Sequence, residues 1–108
     1  MEYNLPQRVV RDITIFADKH SVKKVILFGS RARGDNTERS DIDIAVYGGD
    51  FDSFYWDIKD NVHSLLSFDV VDVDAGISED LKSEIERDGV VIYEKAWKFF
   101  ELFKYFEK

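Results

Sequence analysis

From Asp41 to Val46 the chain reads Asp, Ile, Asp, Ile, Ala, Val. Alternation with a period of two marks a β-strand with one polar and one apolar face, because successive side chains point to opposite sides of the pleat. Ile42, Ile44 and Val46 anchor that strand in a core. Asp41 and Asp43 share the other face, roughly 6.5–7 Å apart along it at a rise of about 3.3 Å per residue.

Other elements follow from spacing. Leu5, Val9, Val10, Ile13, Phe16 and Ala17 recur at intervals of three and four, which predicts a helix opened by Asn4 and Pro6. Val25 to Phe28 is a short apolar run stopped by Gly29, the pattern of a buried first strand. Gly29 to Ser40 reads as a loop, with a short helix beginning near Ser30. Gly48 and Gly49 close the alternating strand, and Phe51, Phe54, Tyr55, Ile58, Val62, Leu65 and Leu66 form a second helical stripe. Phe68 to Val73 is a third strand with interleaved aspartates. Ser78 caps a short helix through Leu81 and Ile85 that Gly89 ends, and Val90 to Tyr93 is a fourth strand at an edge.

At 108 residues one domain spanning 1–108 is expected, with 44% hydrophobic and 34% charged residues matching a soluble globular chain. The absence of cysteine excludes disulfides, thiolate nucleophiles and cysteine-bound zinc or iron–sulfur. The amino terminus has an early acidic residue and no uninterrupted apolar stretch, so neither a signal peptide nor a membrane span is expected and the location is read as cytoplasmic. A net charge of −7 argues against a long nucleic acid as partner, because such binding needs many lysines and arginines against phosphates. A small polyanion bridged by a cation remains compatible with it.

The segment from 94 to 108 is rich in aromatic residues and helical by propensity, with apolar pairs divided by Lys98, Glu101 and Lys104. Three-residue spacing drifts around a helix of about 3.6 residues per turn, so the apolar groups cover more than one core-facing stripe. Two readings stand equally: a terminal helix wedged against its own domain, or a surface for a partner or for self-association.

The chemistry-bearing residues gather around Asp41 and Asp43. Two carboxylates on one strand face suit a hard cation such as magnesium, which takes oxygen ligands and commonly joins one or two carboxylates to substrate phosphates. The run Phe68-Asp69-Val70-Val71-Asp72-Val73-Asp74 supplies further aspartates from a neighbouring strand. Several carboxylates aimed at one place repel one another until a cation joins them. Gly29 after a buried strand permits a tight turn and close approach of a ligand, and Ser30 adds a hydroxyl donor. Arg31, Arg33 and Arg39 offer charge for a triphosphate or a leaving pyrophosphate. No Gly-x-x-x-x-Gly-Lys loop occurs, which removes the P-loop ATPase class. The two histidines, His20 and His63, lie outside this constellation and are read as structural or surface residues.

The segment Leu27-Phe28-Gly29-Ser30-Arg31-Ala32-Arg33-Gly34, with Ser40-Asp41-Ile42-Asp43-Ile44-Ala45-Val46, resembles the DNA polymerase beta-like nucleotidyltransferase superfamily, whose signature is Gly-Ser, ten residues, then Asp-x-Asp; residues 31 to 40 supply the ten. The likeness is to the minimal nucleotidyltransferase (MNT) branch. It implies an α+β fold, a mixed sheet of about four strands flanked by helices, and makes Asp69 the third metal-binding carboxylate. Asp72, an odd number of residues away on a regular strand, is the weaker alternative. It further implies two magnesium ions, a nucleoside triphosphate donor, ATP above all, and no protein nucleophile. In this branch the MNT protein is usually paired with a helical HEPN-type protein, and some pairs act as antitoxin and toxin. The expectation is therefore transfer of AMP to a hydroxyl on such a partner. The alternatives are a binding module that occludes its partner without catalysis, or transfer to a small molecule.

Overall fold

The computed structural model describes residues 3–62 and 64–95. Pro6, with φ −56°, leads into helix α1, Gln7–Lys19. A proline is tolerated there because the first turn of a helix has no internal acceptor waiting for its missing N–H. Val9, Ile13 and Ala17 recur every four residues on the buried stripe of α1, each fully excluded from solvent.

Strand β1 (Lys24–Phe28), the short helix α2 (Ser30–Arg33), strand β2 (Ile42–Tyr47), helix α3 (Phe51–Asn61), strand β3 (Phe68–Asp72), a 3-10 turn (Val73–Ala75), helix α4 (Glu79–Asp88) and strand β4 (Val90–Glu94) complete the order. The strands form one sheet in the order β3-β2-β1-β4. β1 runs antiparallel to both β2 and β4, whereas β2 and β3 are parallel. The sheet is mixed, as expected, and β4 lies at its edge. The parallel pair follows from α3, which crosses over between β2 and β3 and buries Phe54 and Ile58 against the sheet.

Two layers flank the sheet. Ile42, Ile44 and Val46 of β2 and Val25 and Leu27 of β1 share a core with the buried faces of α1 and α3. On the opposite face, Ile85 of α4 packs with Phe28 and Ala45. Asp43 is therefore on the face that α4 covers, two residues along β2 from the buried Ala45.

Caps and stops are local. The Asp50 carboxylate accepts from Ser53 N–H at the start of α3, and Ser78 Oγ accepts from Leu81 N–H at the start of α4. Gly89 ends α4 with its N–H donated to the Ile85 carbonyl at 2.8 Å.

Several boundaries depart from expectation. β1 begins one residue early, at Lys24, and β2, expected from Asp41 to Val46, runs one residue later, so that Asp41 stands just before the strand. The helical stripe predicted through Leu66 stops at Asn61; Val62 is extended, and Ser64 Oγ accepts from Leu66 N–H, a local bond that competes with continued helix. Leu65 is left fully exposed while Leu66 still packs on the core. The third strand ends at Asp72, with Val73 in the 3-10 turn. Glu94, the first residue of the expected terminal helix, lies in β4. Residues 96–108 and His63 lie outside the described residues. No described helix is long and apolar enough to cross a membrane.

Candidate active site

Gly29 follows β1 with φ 73° and ψ −159°, a backbone region that is essentially glycine's alone. The antiparallel register pairs Phe28 with Asp43, so the turn leaving β1 passes directly over the Asp43 side chain. A Cβ at position 29 would collide with the Asp43 carboxylate, with Cγ only 3.1 Å away. Glycine is thus required twice, by its backbone angle and by the carboxylate beneath it. Ser30, half-buried, opens α2 at the same point.

Asp43 and Asp69 are Cα partners across the parallel ladder. Partners in neighbouring strands lie about 4.8 Å apart with side chains on the same face. Asp41, exposed, stands two residues before Asp43 at the entry to β2. Burial raises the Asp43 pKa to about 6, and the negative charges of Asp69, Asp41 and Glu84 push it the same way, with Arg33 opposing them. Asp72, by contrast, is opposite Val46 at the far end of the ladder.

Hard oxygen donors that repel one another are the donor set a divalent cation would join, and in that respect the residues fit magnesium. Among the described residues no three carboxylate or imidazole side chains converge closely enough to hold an ion as they stand. For Asp43 and Asp69 the backbone register supplies the proximity.

The arginines divide. Arg31, expected at the triphosphate, is turned inward and only 3% exposed, with its guanidinium donating to the carbonyls of Asn4, Thr37, Glu38 and Ser40. A side chain held this way has its donors engaged by the loop rather than offered to a ligand. Arg33 is exposed and lies between Asp35, at 3.1 Å, and Asp88 of α4, at 3.3 Å. Arg39 is exposed in the loop, where its backbone N–H donates to Thr37 Oγ1. His20 is away from the site and meets Asp57 at 2.5 Å, joining the end of α1 to α3.

Sequence reasoning missed Glu84 and Asp88. They are four residues apart on one face of α4, and the Arg33–Asp88 contact turns that face toward the Gly29 turn. Helical spacing alone places the two acids together. It does not say which end of the sheet they face.

A family profile described as "Polymerase beta, Nucleotidyltransferase" matches residues 12–98. Two proteins of Methanocaldococcus jannaschii named "Putative protein adenylyltransferase", MJ0604 and MJ1379, are 69% and 62% identical to this chain over 32 residues. Those segments cover 29% and 30% of this chain and 32% of each relative, about a third of their own length. MJ0128, of the same name and organism, is 33% identical over 82 residues, covering 72% of this chain and 84% of its own. Among solved structures, a crystal structure of a toxin-antitoxin with AMP-PNP superposes with a TM-score of 0.64 at 21% identity, over 91% of this chain and 89% of that one. A toxin-antitoxin MntA-HpeT mutant superposes at 0.63 with 19% identity, over the same shares. At such identities the structures speak for the fold. With the family profile spanning most of the chain and the Gly-Ser turn seated on the Asp-x-Asp strand, this chain belongs to the polymerase beta nucleotidyltransferase family.

Proposed function

We propose that the chain is a magnesium-dependent nucleotidyltransferase that moves AMP from ATP to a hydroxyl group on a HEPN-type helical protein, and that by this modification it acts as the antitoxin of a pair. The observation that carries the reading is the contact of the Gly29 turn with the Asp43 carboxylate, with Asp69 in register beside it. A triphosphate held by the turn has its α-phosphate next to the acidic strands. The names of the archaeal relatives and the toxin-antitoxin neighbour with AMP-PNP support the adenylyl donor and the protein partner.

In this reading the acceptor oxygen attacks the α-phosphorus, the bond to the β-phosphate oxygen breaks, and pyrophosphate leaves. Two magnesium ions, when bound, lower the pKa of the acceptor hydroxyl and neutralise charge on the α-phosphate and pyrophosphate. Asp41, Asp43 and Asp69 would hold the ions. Asp69 is on the outer strand and is assigned to the acceptor side, where it assists loss of the hydroxyl proton. Gly29 leaves room for the triphosphate, Ser30 donates its hydroxyl to a phosphate oxygen, and Arg33 offsets charge on the leaving pyrophosphate. ATP as donor agrees with the cytoplasmic location read from the sequence.

Incubation of the protein with magnesium, α-labelled ATP and its helical partner tests this. Label is expected on the partner with wild-type protein and none with Asp41→Asn or Asp43→Asn. Label that persists in both variants overturns the reading, and turnover without any protein partner moves the acceptor to a small molecule.

A further inference from the structure

Arg31 is the only charged residue among those described as buried. Burying a guanidinium is costly unless its N–H groups are satisfied. Here Nε donates to the Ser40 carbonyl at 3.0 Å, Nη1 to the Asn4 carbonyl at 3.1 Å, and Nη2 to the carbonyls of Glu38 at 3.2 Å and Thr37 at 3.5 Å. The backbone of Arg31 adds a fifth tie, its carbonyl accepting from Asn4 N–H at 3.0 Å.

These acceptors are not scattered. Ser40 is the residue immediately before Asp41, and Arg31 is two residues after Gly29. One guanidinium thereby spans the connection between the turn and the acidic strand, and it also fastens the segment before α1 to that connection. The loop's other internal bonds are short-range, those among Asn36, Thr37, Arg39 and Ser40 and those from the Gly34 and Asp35 N–H groups to the Ser30 carbonyl, and none of them reaches the segment before α1. Its course between α2 and β2 depends on the planar fork of Arg31, whose N–H groups diverge to reach separate carbonyls. A lysine carries its three donors on one nitrogen and cannot span them.

We infer that Arg31 is a positioning residue for the nucleotidyl transfer: it touches neither phosphate nor metal, but sets Asp41 against the Gly29-Ser30 turn by holding the Ser40 and Glu38 carbonyls. The inference rests on the functional reading above. It also changes the role expected for the first arginine of the motif from ligand to scaffold, and leaves the exposed Arg33, which a triphosphate would draw from Asp35 and Asp88, and the exposed Arg39 to meet the nucleotide.

The test pairs Arg31→Lys with a measurement on the unmodified protein. In Arg31→Lys, kcat is expected to fall about 10- to 100-fold, as for groups that orient metal ligands. The KM for ATP is expected to stay within about twofold, since no ground-state contact to nucleotide is lost. A KM raised about tenfold with kcat unchanged, or no change in either, overturns the inference. In the wild-type protein, the Arg31 Nε–H signal in nuclear magnetic resonance is expected to exchange slowly with water and to keep its position when magnesium and ATP are added. The Arg33 Nε–H signal is expected to move. Should Arg31→Lys fail to fold, this measurement decides: rapid exchange at Arg31, or a shift of its signal on nucleotide binding, contradicts the positioning role. Because exchange is read in the free protein, it tests the Arg31 scaffold even if no transfer activity is found.

Discussion

Asp43 of β2 lies directly across the parallel ladder from Asp69 of β3, and both are on the face where the Gly29 turn crosses the sheet. The pairing places like charges side by side in a partly buried position. Burial first, and the neighbouring acids second, hold the Asp43 pKa at about 6 against an ordinary value of 3.8.

That shift has a stability consequence. Between the two values the folded chain binds more protons at Asp43 than the unfolded chain, so the contribution of this group to stability falls as pH rises through the window from about 4 to about 6. Without divalent cations, Asp43→Asn is therefore expected to be more stable than wild type at pH 8 and equal to it at pH 4. The shift alone corresponds to about 3 kcal/mol, and solvent screening of a half-buried group reduces this to about 1 kcal/mol. Thermal unfolding with a chelator checks it; a variant less stable than wild type at pH 8 contradicts it.

Gly29→Ala is expected to lose transfer activity by about 100-fold, because the added methyl displaces the Asp43 carboxylate and a shift on the order of 1 Å carries a penalty of that size. Backbone strain at the positive φ adds on the order of 1–3 kcal/mol of destabilisation. Activity and urea unfolding read the two effects separately. The corresponding Gly34→Ala, where φ is 88° and no atom lies within 4 Å of the added carbon, is expected to show the strain with little loss of activity.

Much of this arrangement is legible in the sequence where short-range chemistry decides it. The alternation at 41–46 announces β2 to within one residue, Ser78 and Gly89 bracket α4, and the spacing of Gly29-Ser30 from Asp41 and Asp43 points to the candidate site. The end of α3 is less legible, because the Val62 and Leu65 stripe continues in register while Ser64 turns the backbone away from helix. Arg31 and Arg33 are alike as letters in a loop, and only the fold separates the buried fork from the exposed one. Glu84 and Asp88 reach the site through packing of α4 on β1, a contact across more than 50 residues that no local pattern encodes.

Phe54 anchors α3 in the core with no exposed surface. Phe54→Ala is expected to destabilise the fold by about 3–5 kcal/mol, the usual cost of an unfilled aromatic cavity. Denaturant unfolding measures it, and a loss well under 1 kcal/mol contradicts the packing described.

The Asp57 carboxylate is held below its ordinary pKa, first by the hydrogen bond to His20, then by Asn61, with Lys19 adding its charge. Its contribution to stability is present above the ordinary carboxylate pKa and is lost as pH falls through the depressed value. Asp57→Asn is expected to lower the melting temperature near neutral pH and to flatten the acid limb of the stability curve. A variant whose acid limb matches wild type contradicts this role.

If carboxylates from two adjoining strands and the glycine–serine turn form one cation-dependent triphosphate site, nucleotide binding must require both the metal and the acids. Calorimetric titration with a non-hydrolysable ATP analogue measures it directly. Binding is expected in the presence of magnesium, with near-complete loss when magnesium is chelated or when Asp41 and Asp43 are both changed to Asn. Absence of binding with magnesium present, or equal affinity in the double variant, would mean that these residues do not form such a site.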